Sequence, residues 1–160
     1  MSEEKTLDKY DRKILAKLQE DARITNQKLA EEINLSPSAC LQRLRRLEQE
    51  GYFNSYNAKL NLDRIARHIS CIATITLKNH AQEDFDAFEK MVEEIPEIVE
   101  CYTVSGEFDF FLKVVCPDMA HYLKINDQLV RSGNYTVTIQ THVIMKENKA
   151  FRGVNLESLF

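Results

Sequence analysis

Paired cysteines, long apolar runs and catalytic signatures are all missing from this chain, and each absence removes a class of protein. The four cysteines, Cys40, Cys71, Cys101 and Cys116, are scattered, form no CxxC pair and each sit in an apolar run. That placement argues against a disulfide framework or zinc site and fits reduced core thiols. No stretch approaches the roughly 20 apolar residues of a membrane span. The opening MSEEKTLDKYDRK is too polar for a signal peptide, so the expected setting is the cytoplasm, without a membrane partner. There is no Gly-rich phosphate loop, no HExxH and no GxSxG, so neither an enzyme nor a cofactor is expected. His68, His80 and His121 have no ligand-like spacing with one another or with the cysteines, and no metal site is assigned.

What is present is an ordinary globular composition with an uneven charge. The 160 residues are 44% hydrophobic and 29% charged, enough for one domain or two small ones with a proper core. The net charge of −4 is awkward for a nucleic-acid partner until it is divided. Residues 1–60 hold 11 Lys and Arg against 10 Asp and Glu, net +1, while residues 61–160 hold 10 against 15, net −5. The acidity belongs to the second half.

The stretch from Leu35 to Phe53, LSPSACLQRLRRLEQEGYF, reads as one helix of about four turns with both ends marked. Ser36 can accept from the free N–H groups of the first turn, and Pro37 follows where its missing N–H costs nothing. Gly51 suits a left-handed residue at the end. Cys40, Leu44 and Leu47, flanked by Leu41, form a buried stripe, while Ser38, Gln42, Arg45, Arg46 and Gln49 point away, with Ala39 and Arg43 on one flank. Small and amide residues followed by arginines suit a helix entering a DNA groove, and the plain alternative is a solvated amphipathic helix. Residues 25–34 make a short preceding helix with Thr25 as N-cap, and Asn34-Leu35-Ser36 leaves room only for a sharp turn. Leu7, Tyr10, Ile14, Leu15 and Leu18 mark a third helix that could pack across both. The pattern is helix-turn-helix, a winged-helix-like head over residues 1–52 whose DNA-binding candidates are Ser36, Ser38, Ala39, Gln42, Arg43, Arg45 and Arg46.

A linker follows over residues 53–66, with a helical turn expected at 61–65 and no Gly/Ser or Pro run, so a semi-ordered hinge. From Ile69 the apolar period shifts towards two. Strands are expected at Ile69–Leu77, Ile98–Val104, Phe108–Val115 and Thr136–Met145, with helices over residues 82–95 and Pro117–Ser132. Phe85, Phe88, Val92 and Ile95 share one face of the first helix, and Tyr122, Leu123, Leu129 and Val130 are the apolar marks of the second. The order β-α-β-β-α-β is the ferredoxin-like split, over residues 67–146, leaving residues 147–160 as an unassigned tail. The fold class is therefore α+β. The sheet face away from the helices also carries apolar residues and needs a partner, most simply a second copy.

The LDKYDRKIL start, the LSPS, RLRRLE and Gly51 block, and the ECYTVSGEFDFFLKV segment with its PDM resemble the Lrp/AsnC family, particularly its leucine-responsive members. The resemblance runs from Leu7 to about Lys146. It implies a DNA-binding transcription regulator responsive to a free amino acid, leucine-like or methionine-like, acting as a homodimer that assembles into higher oligomers such as octamers. It also implies an effector site where dimers meet, at the turn Val104, Ser105, Gly106, Glu107, Phe108 and Asp109. There Gly106 permits close backbone approach and Asp109 or Glu107 can accept from an ammonium. The turn alone reads more simply as a polar hairpin with Asp109 capping its own backbone, and the resemblance reverses that preference. The resemblance sets His142 on the fourth strand against the same pocket, although a hydrogen-bonded strand histidine is the simpler reading. The alternative function is a cytosolic metal or redox sensor using Cys101 and Cys116.

Overall fold

The computed structural model describes residues 7–131 and 137–159. They divide into two units, one comprising the first 59 residues together with the segment from Lys149 onward, the other Leu60–Asn148.

In the first unit the helices are α1 (Lys9–Glu20), α2 (Asn26–Ile33) and α3 (Pro37–Gln49). Each start is closed by a side chain. Asp8 accepts from the N–H groups of Tyr10 and Asp11 while Asp11 accepts from that of Asp8, a reciprocal box. Thr25 caps α2 and Ser36 caps α3. The sharp turn between α2 and α3 depends on Asn34, the one described non-glycine residue with positive φ, at 57°. It lets Leu35 N–H reach the Ala30 carbonyl at 2.9 Å. Gly51, at φ 77°, ends α3 in the same way, with Tyr52 N–H on Leu47 O and Gly51 N–H on Glu48 O. Asn26 Nδ2 donates to the Pro37 carbonyl at 2.8 Å and ties the starts of α2 and α3 together. The core is Ile14, Leu15, Leu18, Leu29, Ala30, Ile33, Cys40 and Leu47.

The tail, which the sequence pattern left unassigned, returns to this core. Leu156 packs against it. Gln19 on α1 grips Val154 twice, accepting from its N–H at 2.8 Å and donating to its carbonyl at 3.2 Å. Gly153 makes the grip possible. At φ 104° it has left-handed backbone, and a Cβ there would lie 2.9 Å from Gln19 Cβ.

The second unit opens with a 3₁₀ turn at Leu62–Arg64. It continues as β1 (Ile69–Leu77), α4 (Gln82–Glu93), β2 (Ile98–Thr103), β3 (Phe110–Cys116), α5 (Met119–Arg131) and β4 (Val137–Val143). The strands form one antiparallel sheet in the order β2-β3-β1-β4. One face carries Cys71, Ala73, Ile75, Leu77, Phe110, Leu112, Val114 and Cys116 against Phe88, Met91 and Val92 of α4 and Tyr122, Ile125 and Leu129 of α5. The Phe88 and Phe110 rings lie 4.6 Å apart, and the buried Tyr122 hydroxyl finds Thr141 Oγ1 at 2.7 Å.

Several expectations need correction. Strand β3 starts at Phe110 rather than Phe108, because Asp109 uses its side chain to close the neighbouring strand and so belongs to the turn. Strand β4 ends at Val143, leaving Met145 90% exposed. Helix α4 stops at Glu93, although Ile95 is still buried. On α5 the buried row is Tyr122, Ile125 and Leu129, and Leu123 and Val130 face outward, one residue off that row. Ser132 and Thr136 lie outside the described residues. Cys101, unlike the other three cysteines, is exposed, because β2 is a sheet edge. The open sheet face is less apolar than expected. Val137 and Ile139 pack into the helix side, and the open side bears Thr138, Gln140 and His142 beside Thr74, Ile72 and Phe111.

The tail's grip is testable. Gly153→Val should strain the backbone and push Gln19 away, lowering the first unit's stability by about 1–3 kcal/mol. Native-state hydrogen exchange should then speed up in α1 around Leu18–Glu20 with little change in the sheet. Unchanged exchange there would mean the tail contributes nothing to the head.

Candidate functional site

Helix α3 presents an exposed row of Ser38, Gln42, Arg45 and Gln49, opposite the buried Cys40 and Leu47. Ser36 and Ser38 sit at its start with their hydroxyls 3.2 Å apart, and Ala39 is half-buried on the flank. The uncharged first turn leaves the helix's positive end open to an anion or a base edge.

The arginines divide differently from a helical wheel. Asp11 of α1 is buried, and both its oxygens are claimed by α3, Oδ1 by Arg43 at 2.9 Å and Oδ2 by Arg46 at 2.6 Å. Arg43 also pairs with Asp8 at 2.6 Å and lies 5.5 Å from the centre of the Tyr10 ring. Arg46 reaches Glu50 at 3.8 Å. Burial works against the Asp8 carboxylate, but the N–H groups of Asp11 and Tyr10 and the Arg43 guanidinium outweigh it and hold its pKa at about 2. Arg46, expected to face outward, and Arg43, expected on the flank, are thus both bound to α1, and Arg45 is exposed without an ion pair among the described residues. A wheel drawn on α3 alone has no place for a carboxylate on α1. The only sequence signal is the DxxD spacing of Asp8 and Asp11, which marks a cap and gives no hint of a second helix. Tyr56, in the linker, donates to Glu48 of α3 at 3.0 Å.

The turn between β2 and β3 is closed by Val104 N–H on the Asp109 carbonyl at 2.9 Å. Asp109 also donates its own N–H to the Ile75 carbonyl at 2.8 Å. Its carboxylate accepts from Leu77 N–H at 2.7 Å through Oδ2, while Oδ1 lies 3.2 Å from His80 Nε2. Ser105, Gly106 and Glu107 are exposed and Val104 and Phe108 half-buried. Gly106, at φ 129°, would meet nothing within 4 Å if it carried a Cβ, so the space above it is open. Nothing in the sequence gives His80 a role, yet the loop after β1 carries it to Asp109 from 29 positions away. His142 pairs with Ile72, whereas Phe110 pairs with Ile75 on the other side of β1. That register sets His142 roughly 14 Å from the turn in one protomer, two strands across and three residues along. A shallow depression of about 470 Å³ at the opposite end of β1, lined by Asp63, Arg67, His68 and Asp118 among others, shares no residue with the turn.

The sensor alternative gains no support. Cys101 pairs with Leu112, four residues along β3 from Cys116, and burial raises the Cys116 thiol pKa. Among the described residues no three ligand-type side chains cluster around a metal position. No described helix is long and apolar enough to cross a membrane.

The head and its exposed capped helix define a helix-turn-helix DNA-binding protein with a ferredoxin-like second domain. The winged helix-turn-helix DNA-binding family matches residues 7–53, and the Lrp/AsnC ligand binding domain matches residues 70–154. The leucine-responsive regulatory proteins of Klebsiella pneumoniae and Escherichia coli K12 are each 41% identical over 146 residues, 91% of this chain and 88% of theirs. A Neisseria meningitidis transcriptional regulator solved with L-methionine superposes with TM-score 0.89 at 32% identity, covering 97% of this chain and 100% of that one. A Mycobacterium tuberculosis feast or famine regulatory protein solved with L-methionine gives 0.84 at 28% identity, covering 93% and 99%. The chain belongs to the Lrp/AsnC family of transcription regulators, which are not enzymes.

Proposed function

We propose that this regulator reads operator DNA with α3 and that its second unit couples that reading to a free amino acid, leucine-like or methionine-like, in the cytoplasm. The observation that carries the first part is the exposed row on α3, locked in place from behind by Asp11. Ser36, Ser38, Ala39 and Gln42 then meet base edges near the helix start, and Arg45 meets phosphate. The second part is supported by the relatives that hold L-methionine and by the open space above Gly106. The turn supplies N–H groups for a carboxylate, and Glu107 is the exposed acceptor for an ammonium. Asp109, already engaged by Leu77 and His80, shapes the turn and sets its charge. His142, distant within a protomer, joins the site from another copy.

Assembly follows from the open sheet face, where Ile72, Phe111 and Val115 are half-buried between polar neighbours. A second copy placed on that face forms the homodimer, and dimers associate further, up to octamers. Two heads then contact successive turns of one duplex face about 34 Å apart, and the linked second contact gains about 10²- to 10⁴-fold in effective affinity.

Three outcomes are expected. Arg45→Ala weakens binding to every duplex and lowers the salt slope by about one unit, whereas Gln42→Ala costs about 1–3 kcal/mol at particular base pairs. A gel-shift series in which Arg45→Ala changes neither affinity nor slope would remove α3 from the reading role. In a thermal-shift screen of the twenty amino acids, the cognate one at 100 times its Kd should stabilise the protein by about 2.7 kcal/mol. Glu107→Gln, which removes the charge proposed to hold the ammonium, should abolish that gain, and an undiminished shift would move the site elsewhere. Light scattering of the full chain should show a dimer or larger, and a monomer would leave the open face without its partner.

A further inference from the structure

The three arginines of α3 are held in unequal states. Arg43 and Arg46 face three carboxylates, those of Asp8, Asp11 and Glu50, at 2.6–3.8 Å. The Asp11 side chain is only 2% exposed beneath guanidinium-bearing side chains that are 29% and 36% exposed. Arg45 alone projects from the same helix without a counter-charge among the described residues. The pairing spans two helices and is anchored by the cap of α1, because Asp11 Oδ2 also accepts from Asp8 N–H. Outside this cluster, the Lys9 ammonium lies 5.0 Å from the Tyr10 ring centre and Arg12 Nε donates to the Leu7 carbonyl at 3.2 Å.

Phosphate contacts by Arg and Lys supply most sequence-independent affinity, whereas contacts to base edges supply discrimination. A guanidinium already neutralised by carboxylates releases fewer counterions on meeting a phosphate, and it must break or share its ion pair to do so. The geometry points to Asp11, assisted by Asp8, as a specificity-determining residue. It withholds the charge of Arg43 and Arg46 from the DNA backbone, so that Arg45 and the polar first turn of α3 dominate the contact. Asp11 touches no DNA in this scheme and acts through the two arginines. The assignment rests on α3 being the reading helix.

The structural alternative predicts the opposite sign. If Asp11 only holds the fold together, its removal lowers binding to all sequences. If it withholds charge, its removal raises non-specific binding. Asp11→Asn in the full chain should therefore steepen the salt dependence of binding to random duplex by about one to two units, one for each released guanidinium. The ratio of operator to random affinity at about 0.1 M salt should fall about tenfold, since only the unspecific contribution gains. Asp8→Asn is the second variant, because asparagine caps a helix start about as well as aspartate. It frees Arg43 in part and should steepen the slope by up to about one unit.

Circular dichroism reports whether each variant is folded. If Asp11→Asn unfolds, the folded Asp8→Asn variant decides alone. An unchanged or shallower slope in a folded variant overturns the proposal, as does a steeper slope with an undiminished affinity ratio. Arg45→Ala, measured alongside, separates the two ideas. If it too leaves the slope unchanged, α3 is not the reading helix and both fall. If it lowers the slope while the aspartate variants do not raise it, only the withholding role is lost.

Discussion

A carboxylate removed from water must be surrounded by donors, and the position of α3 follows from how Asp11 meets that requirement. Its oxygens receive one backbone N–H and two guanidiniums, all at hydrogen-bond distance. Stripping a partner from a buried ion pair costs about 3–5 kcal/mol, because the remaining charge stays desolvated. Helix α3 cannot rotate by a fraction of a turn without stripping Asp11 of both guanidiniums at once, since Arg43 and Arg46 both anchor to the same side chain. The capped start, the left-handed Asn34 and the Gly51 ending then fix where the exposed row begins and stops. The proposed placing of Ser38 and Gln42 against base edges needs this rigidity, because a misplaced donor loses its hydrogen bond.

The second unit solves a different problem, a sheet with one dry face and one free face. The dry face is closed by aromatic contacts among Phe85, Phe88 and Phe110 and by the Tyr122–Thr141 hydrogen bond. At the end of β1, Asp109 takes up the Leu77 N–H, so the strand finishes without an orphan donor and the following turn is held in a single shape. The same residue that terminates the ladder therefore shapes the turn proposed to receive the amino acid. The free face mixes Ile72 and Phe111 with threonines and an internal Lys113–Glu100 pair at 2.9 Å, a surface suited to a partner that is itself partly polar.

Local chemistry was legible in the sequence, and long-range chemistry was not. Ser36, Thr25 and Gly51 act over three or four residues, and strand Ile69–Leu77 is a run of β-branched residues. Their elements stand where the patterns placed them. A wheel sets Arg46 outward and Arg43 on the flank because nothing in α3 itself reveals the carboxylate 32 to 35 positions upstream. Cys101 lies in an apolar run like the other cysteines, and only its edge position in the sheet leaves it exposed. The tail shows no periodicity at all, and its placement rests on Gly153 fitting against Gln19, some 134 positions away. His142 alternates correctly within its strand, but register, which no single strand encodes, separates it from the turn.

The proposed regulator couples amino-acid binding to operator binding within one chain. Thermodynamic linkage tests it most directly. Operator affinity is measured with and without saturating L-methionine or L-leucine, and the affinity for that amino acid is measured with and without saturating operator. Both ratios should be equal and differ from one, with coupling typically in the range of about 5- to 150-fold. Two ratios of one, with both ligands bound tightly, would show two independent sites on a shared chain and would contradict it.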